Sequence, residues 1–422
     1  MASAAAEAEN TAPWSELRRD VLEEIVNRLN TSTDVLHFRA VCSSWRSSIP
    51  LPSQNSFTLI KFPFPIGPNP SLNPNRRGHF TLNESIIYSL EPINKISNAW
   101  STTKTWLVKI EHVNTKVLVK EPLSRFPFEK LRQKLPKVLN LLDYRVSEVS
   151  KAYELQFVAV GKNPDTAVFN ELKSIVIKKV AVSDSKKDKN FTVMAVHTAG
   201  KLGVWKMGDK KWTNIDGIDG SERAHYDDIA YYKDKFYAVD IMGLAISVDA
   251  STLKIKKVAL PMPCSGFHGA QFKYLVKSPK ELFMVNKYFG VEMNMFEDEG
   301  VGFDSDSDGG DFPFYLKVYK LNEEGCEWVQ VESLGDLALF VGDDCCFCVS
   351  AKEYVGCKGN CVYFAQDLFS QGGRDDFPGY DTGLFDLEDC TAFPLSTFHG
   401  YSKLFWPPPT WLKTKPSSGH EG

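Results

Sequence analysis

Leu17, Val21, Leu22, Ile25, Val26 and Leu29 recur at steps of three and four, which places them on one face of a helix. Arg18, Arg19, Glu23, Glu24, Asn27 and Arg28 take the other face. Asn30-Thr31-Ser32-Thr33 breaks the run and offers hydroxyls that cap a second helix. Val35, Leu36, Phe38, Val41, Cys42, Trp45 and Ile49 restart the periodicity, and a phase shift near Phe38 predicts two short helices there. Pro50 and Pro52 end them. A unit this small buries too little surface to stand alone. It therefore packs on the rest of the chain or docks on another protein, because exposed apolar patches mark interfaces.

The rest of the pattern is that of strands. Leu202–Trp212 reads as a strand, a polar Gly/Asp turn, and a second strand entered through an aromatic. Leu244–Ile255, Leu316–Trp328 and Gly383–Phe393 repeat that plan, and Trp106–Val117 is a looser copy. Trp205 and Ile246 occupy matching places about 41 residues apart. Repeats of that length, each a four-stranded meander, predict a β-propeller, because one meander cannot cover both of its own faces. Tyr153–Val180 reads as a sixth blade, with a strand over 175–180. The fold class expected is thus mainly β: a small helical N-terminus and a kelch-like propeller of six blades. A seventh is added if the linker strand and the C-terminus complete one, and a pair of β-sandwiches is the alternative.

Between helices and body, Pro50 to Pro74 contains seven prolines and marks a boundary. The domains expected are a disordered 1–12, a helical 13–50, a Pro-rich linker 51–75 apolar enough to pack on the body, a propeller 76–412, and a disordered 413–422.

Composition narrows the function. A net charge of −4 gives no case for nucleic acid, and no apolar run reaches the length of a membrane span. The small, acidic N-terminus lacks the features of a signal peptide, and nine cysteines read as free thiols of a reducing compartment, so nucleus or cytoplasm is expected. Cys345, Cys346, Cys348, Cys357 and Cys361 lack the paired knuckles of a zinc site, and buried thiols are the reading. Asp304, Asp306 and Asp308 imitate half a calcium loop, but Tyr315 stands where the closing Glu belongs. Lys178, Lys179, Lys186, Lys187 and Lys189 read as a solvated loop. No nucleophile elbow, phosphate loop, dinucleotide fingerprint or zinc helix appears, and no cofactor is expected. His225, beside Asp227 and Asp228, has the composition of a base but reads as a turn residue.

Two resemblances give these parts names. Trp14-Ser15-x-Leu17, Leu22-x-x-Ile25-x-x-x-Leu29 and Asp34-x-Leu36-x-Phe38-Arg39-x-Val41-Cys42-x-x-Trp45-Arg46 resemble an F-box. Arg18 stands where most members carry Pro, which would pre-set the first helical turn. The region from about Phe80 onward resembles the KIB-type propeller of plant F-box proteins. The segments that carry it are 141–149, 200–206, 227–231, 236–240, 361–365 and 383–386. The F-box resemblance implies docking on the Skp-type adaptor of a cullin-RING ubiquitin ligase. Leu17, Leu22, Ile25, Leu29, Leu36, Phe38, Val41 and Trp45 would be the apolar contacts, with Arg39 and Arg46 as rim or cap residues. The expected role is a non-catalytic substrate receptor, with an unidentified protein target on the propeller. A propeller scaffold acting outside a ligase, with helices that only pack internally, is the reading from another class.

Overall fold

A computed structural model of the protein describes residues 14–29, 32–49, 60–64, 66, 78–93, 105–113, 116–125, 144–159, 177–183, 190–197, 200–215, 224–262, 271–289, 314–354, 356–365, 382–395 and 404–405. Residues 1–12, 297–311 and 371–381, Lys186, Lys187, Lys189 and the tail after 412 lie outside them.

The body consists of five sheets. The first contains β1 (Gly78–Pro92), β2 (Trp106–Val113), β3 (Lys116–Lys120) and β4 (Tyr144–Ala159), ordered β4-β1-β2-β3 from the centre outward. The second runs β5 (Lys179–Val182), β6 (Thr192–His197), β7 (Lys201–Lys206) and β8 (Thr213–Ile215). The third runs β9 (Tyr226–Tyr232), β10 (Lys235–Asp240), β11 (Ala245–Asp249) and β12 (Ile255–Ala259). The fourth runs β13 (Gln271–Lys277), β14 (Leu282–Phe289), β15 (Phe314–Asn322) and β16 (Glu327–Val331). The fifth contains β17 (Leu337–Val341), β18 (Cys346–Ser350), β19 (Cys361–Ala365), β20 (Thr382–Asp386) and β21 (Thr391–Pro394), ordered β18-β17-β19-β20-β21, with β17 and β19 parallel. Strands β4, β5, β9, β13 and β18 touch in that order, and β18 touches β4 again, so the sheets close into a ring.

The propeller therefore has five blades, and the expectation of six or seven is corrected. The five strand–turn–strand copies are outer parts of the five blades: β2–β3, β7–β8, β11–β12, β15–β16 and β20–β21. The supposed sixth blade is two pieces of its neighbours. Tyr153–Ala159 ends β4, the inner strand of the first blade, and Lys179–Val180 opens β5 of the second. The linker adds a single bridge, Phe62 to Phe80, in place of a blade strand.

Alternation along the strands explains the ring. Val193 and Ala195 pack toward the first blade with Leu82 and Leu155, while Met194 and Val196 pack toward the third with Phe236 and Ile246. Further cores fill the gaps between blades three and four and between four and five. The last gap, between blades five and one, contains Phe340, Phe347 and Tyr363 against Ile87, Leu107 and Ala152. The rings of Phe347 and Tyr363 stack on Phe340 at 4.7 and 4.5 Å. Leu404 and Phe405 seal it: both are buried there, and the Leu107 N–H donates to the Leu404 carbonyl at 2.8 Å. The backbones meet where Asp343 N–H donates to the Leu123 carbonyl at 3.1 Å. A Cβ on Gly342 would stand 2.3 Å from that oxygen, so the approach needs glycine.

Two outcomes follow from this packing. Phe405→Ala should cost about 3–5 kcal/mol, read as a lower urea midpoint at unchanged slope. His197, at the end of β6, is buried with Nε2 lacking a hydrogen-bond partner. Burial, helped by Lys201, lowers its pKa to about 4. The unfolded chain then binds this proton below pH 6.5 while the folded protein refuses it until about pH 4. Stability should therefore fall on acidification through that window by up to about 1.4 kcal/mol per pH unit. His197→Gln should flatten the slope in urea titrations at successive pH values.

Candidate docking module and propeller channel

The N-terminal part folds as a 3-10 turn (Trp14–Glu16), α1 (Arg19–Arg28), α2 (Ser32–Ala40) and α3 (Ser43–Ser48). Leu22, Phe38 and Trp45 form its core, with Leu17, Ile25, Val26, Leu29, Cys42 and Ile49 half-buried around them. The Phe38 and Trp45 rings lie 4.5 Å apart. Trp45 Nε1 donates to the Trp14 carbonyl at 2.8 Å, which ties the first turn to the last helix. Ser47 and Ser48 bond back to the Ser44 and Trp45 carbonyls at 2.9 and 2.7 Å, side-chain bonds that compete with the helical ladder.

Arg39 and Arg46 cap this corner. Arg39 donates to the Arg46 carbonyl at 2.8 Å and also to that of Ile49, while Arg46 Nε donates to the Arg39 carbonyl at 3.2 Å. Each guanidinium thus satisfies carbonyls that short helices leave open.

The eight expected contact residues divide into three groups. Leu22, Phe38 and Trp45 are inside the module, and Leu17, Ile25 and Leu29 flank that core. Leu36 and Val41 are exposed at 44% and 52%. Trp14 and Val21, not among the expected contacts, are also exposed, at 63% and 41%. The periodicity places Val21 on the apolar face with Leu22, but it lies about 100° round α1 from Leu22, at the edge of that face, and is exposed.

Arg18 precedes α1 with φ −63° and ψ 149°, and its carbonyl accepts the Leu22 N–H at 3.1 Å. Its guanidinium reaches forward to Asp20 at 2.7 and 3.1 Å in full exposure to solvent. That φ is the one a proline ring imposes.

The propeller axis is a different kind of site. Lys179, on the inner strand of blade two, is buried, and its Nζ lies 2.9 Å from Asp228 and 3.1 Å from Cys346 Sγ. Asp228 also accepts the Ile229 and Leu275 N–H groups at 2.7 Å each. One carboxylate therefore links inner strands β5, β9 and β13. Across the closing gap, buried Lys109 donates to Asp344 at 2.6 Å and to the Ser124 carbonyl at 2.7 Å. Burial opposes charge on Lys179, but the Asp228 carboxylate outweighs it and the net pKa is raised. Burial pushes the Cys346 thiol up to about 11, against the pull of Lys179.

Lys179 is thus corrected from a solvated loop to the channel wall, and Lys178 from a solvated loop to an ion pair. Lys178 pairs with Asp227 at 2.8 Å. Both aspartates pair with lysines, and the buried Nδ1 of His225 has no hydrogen-bond partner among the described residues. The channel cavity, lined by Lys151, Lys179, Ile229, Leu275 and Cys346 among others, is about 60 Å³. That admits a few waters.

Residues 14–54 match the F-box domain, and residues 79–386 match the KIB1-4 β-propeller. The chain belongs to the KIB1-4 β-propeller family and carries an F-box. It is 30% identical over 427 residues to the "F-box protein SKIP23" of Arabidopsis thaliana, covering 94% of this chain and 95% of the relative. It is 33% identical over 397 residues to "Putative F-box protein At5g60060" of the same plant, covering 92% and 96%. It is a plant F-box propeller protein. An F-box joined to a propeller is the plan of a substrate receptor of the ubiquitin-ligase type.

Arg18→Pro should leave the F-box folded and raise its stability by about 0.4–1 kcal/mol, measured by thermal melting. A drop would show that the Arg18 side chain or N–H is required.

Proposed function

We propose that the F-box docks this protein on a Skp-type adaptor and, through it, a cullin, while the propeller holds a protein target for ubiquitination. The observation that carries this reading is the exposed apolar set Trp14, Val21, Leu36 and Val41 on a module whose own core is already complete. Apolar side chains left outside a finished core favour a partner that covers them. The mechanism is proximity: target and loaded ubiquitin-conjugating enzyme are held in one assembly, which raises their effective concentration. The chain serves as a non-catalytic receptor in the nucleus or cytoplasm.

The internal packing also decides which substitutions test the reading. Trp45→Asp or Leu22→Asp would bury a charge and unfold the module, so a lost interaction would not identify a contact. Leu36→Asp and Val41→Asp change exposed positions. Each should weaken capture of a purified Skp-type adaptor about tenfold or more. The far-ultraviolet circular dichroism and melting of the full chain should stay as in the wild type. Undiminished capture by both variants would overturn the docking proposal and leave a propeller scaffold outside a ligase.

A further inference from the structure

The Pro-rich stretch that separates F-box and propeller in the sequence is partly built into the propeller. Phe62 is completely buried, and it exchanges backbone hydrogen bonds with Phe80 at 2.9 and 3.0 Å. Its ring lies 4.5 Å from that of Trp205 and 6.3 Å from that of Trp212. Trp212 Nε1 donates to the Pro63 carbonyl at 2.8 Å. Phe64 packs on Phe157 and Phe80 at 4.7 and 5.6 Å. Ile66 is buried against Gly203, where a Cβ would stand 2.4 Å from its Cγ2. Blade one, blade two and this strap share one core.

This anchoring shortens the covalent path between the two parts. Ile49 ends the described F-box, and Ile60 opens the described strap. The chain between them spans at most roughly 40 Å whatever its conformation. Without the strap, the path would run from Ile49 to Gly78, where β1 begins, and would span up to roughly 100 Å. Helix α2 also lies beside β4 of blade one, as a short path allows.

We infer that Phe62 and Ile66 are positioning residues that limit how far the F-box stands from the propeller. On the ligase reading, on which this role rests, they limit the distance between target and adaptor. The propeller core then acts as the fixed end of a short spacer. Target lysines beyond its reach are excluded by chain length rather than by recognition.

The test uses full-length protein and small-angle X-ray scattering, which needs neither adaptor nor target. Phe62→Ser with Ile66→Ser should free the strap and enlarge the maximum dimension of the particle, while circular dichroism still reports a folded propeller. A structural role alone would lower the melting temperature without changing that dimension. A second variant with about twenty Gly/Ser residues inserted after Leu51 leaves the strap in place and adds reach. It should enlarge the particle with the melting temperature unchanged. A folded double-serine variant of wild-type dimension would overturn the inference, as would an insertion variant that fails to extend. Lost adaptor capture by the Leu36 and Val41 variants bears on the docking proposal alone, so the two tests fail separately.

Discussion

A blade with apolar side chains on both faces has no face to give to water, and the rest of the molecule follows from that constraint. Alternate residues of β6 look toward opposite neighbours, so the second blade is stable only between the first and the third. Repeated around the axis, this leaves a closed ring as the only arrangement without an exposed apolar sheet. The closing gap carries particular weight because its two blades are not consecutive in the chain: blade one is the first of the five and blade five the last. Side-chain packing, the Leu404–Phe405 seal and the Lys109–Asp344 pair hold it together.

That same geometry decides what was legible in the sequence. The outermost strands β8, β12, β16 and β21 are partly exposed and are reached through short polar turns, so they show punctuation, and all five copies found by pattern are real. The inner strands β4 and β5 carry no such turn to mark where one ends and the other begins. All four residues of β5 are buried, and β4 is 16 residues long, so the end of one and the start of the other looked like a blade of their own. In blade five, a hairpin places β18 innermost and leaves β17 parallel to β19, an order that repeat-counting does not predict. The channel lysines were hidden for another reason. A Lys-Lys pair in sequence suggests solvent, and only the three-dimensional arrival of Asp227 and Asp228 gives Lys178 and Lys179 their ion pairs and makes Lys179 part of the wall.

The F-box was the most legible element, and its recognisable pattern mixes core residues with exposed ones: Leu22, Phe38 and Trp45 are inside, while Trp14, Leu36 and Val41 of the same pattern are exposed. Three short helices need large apolar side chains to form any core. Helical periodicity identifies a buried face without saying whether the protein itself or a partner buries it. Phe38 and Leu36, two positions apart on α2, have opposite fates, one in the core and one in water. Arg39 and Arg46, read as rim or cap residues, turn out to bond each other's backbone carbonyls, which stabilises the corner that presents Val41.

The channel and the linker together place limits on where selectivity can arise. A buried ion pair whose lysine or aspartate is removed leaves an unpaired charge inside, at a cost of about 3–5 kcal/mol. The Lys179–Asp228 pair sits where it joins several inner strands, so changes there would loosen the whole ring. A cavity of about 60 Å³ bounded by such pairs has little room to diversify around a ligand. Under the proposed receptor role, the outer surfaces are where a protein target would be held, because they can vary without reopening the axis. The strap at Phe62 adds a second limit, because it lies in the core that blades one and two share. On the inferred spacer role, a change at that seam would also alter the spacing of the F-box, whereas a change on the far blades would not.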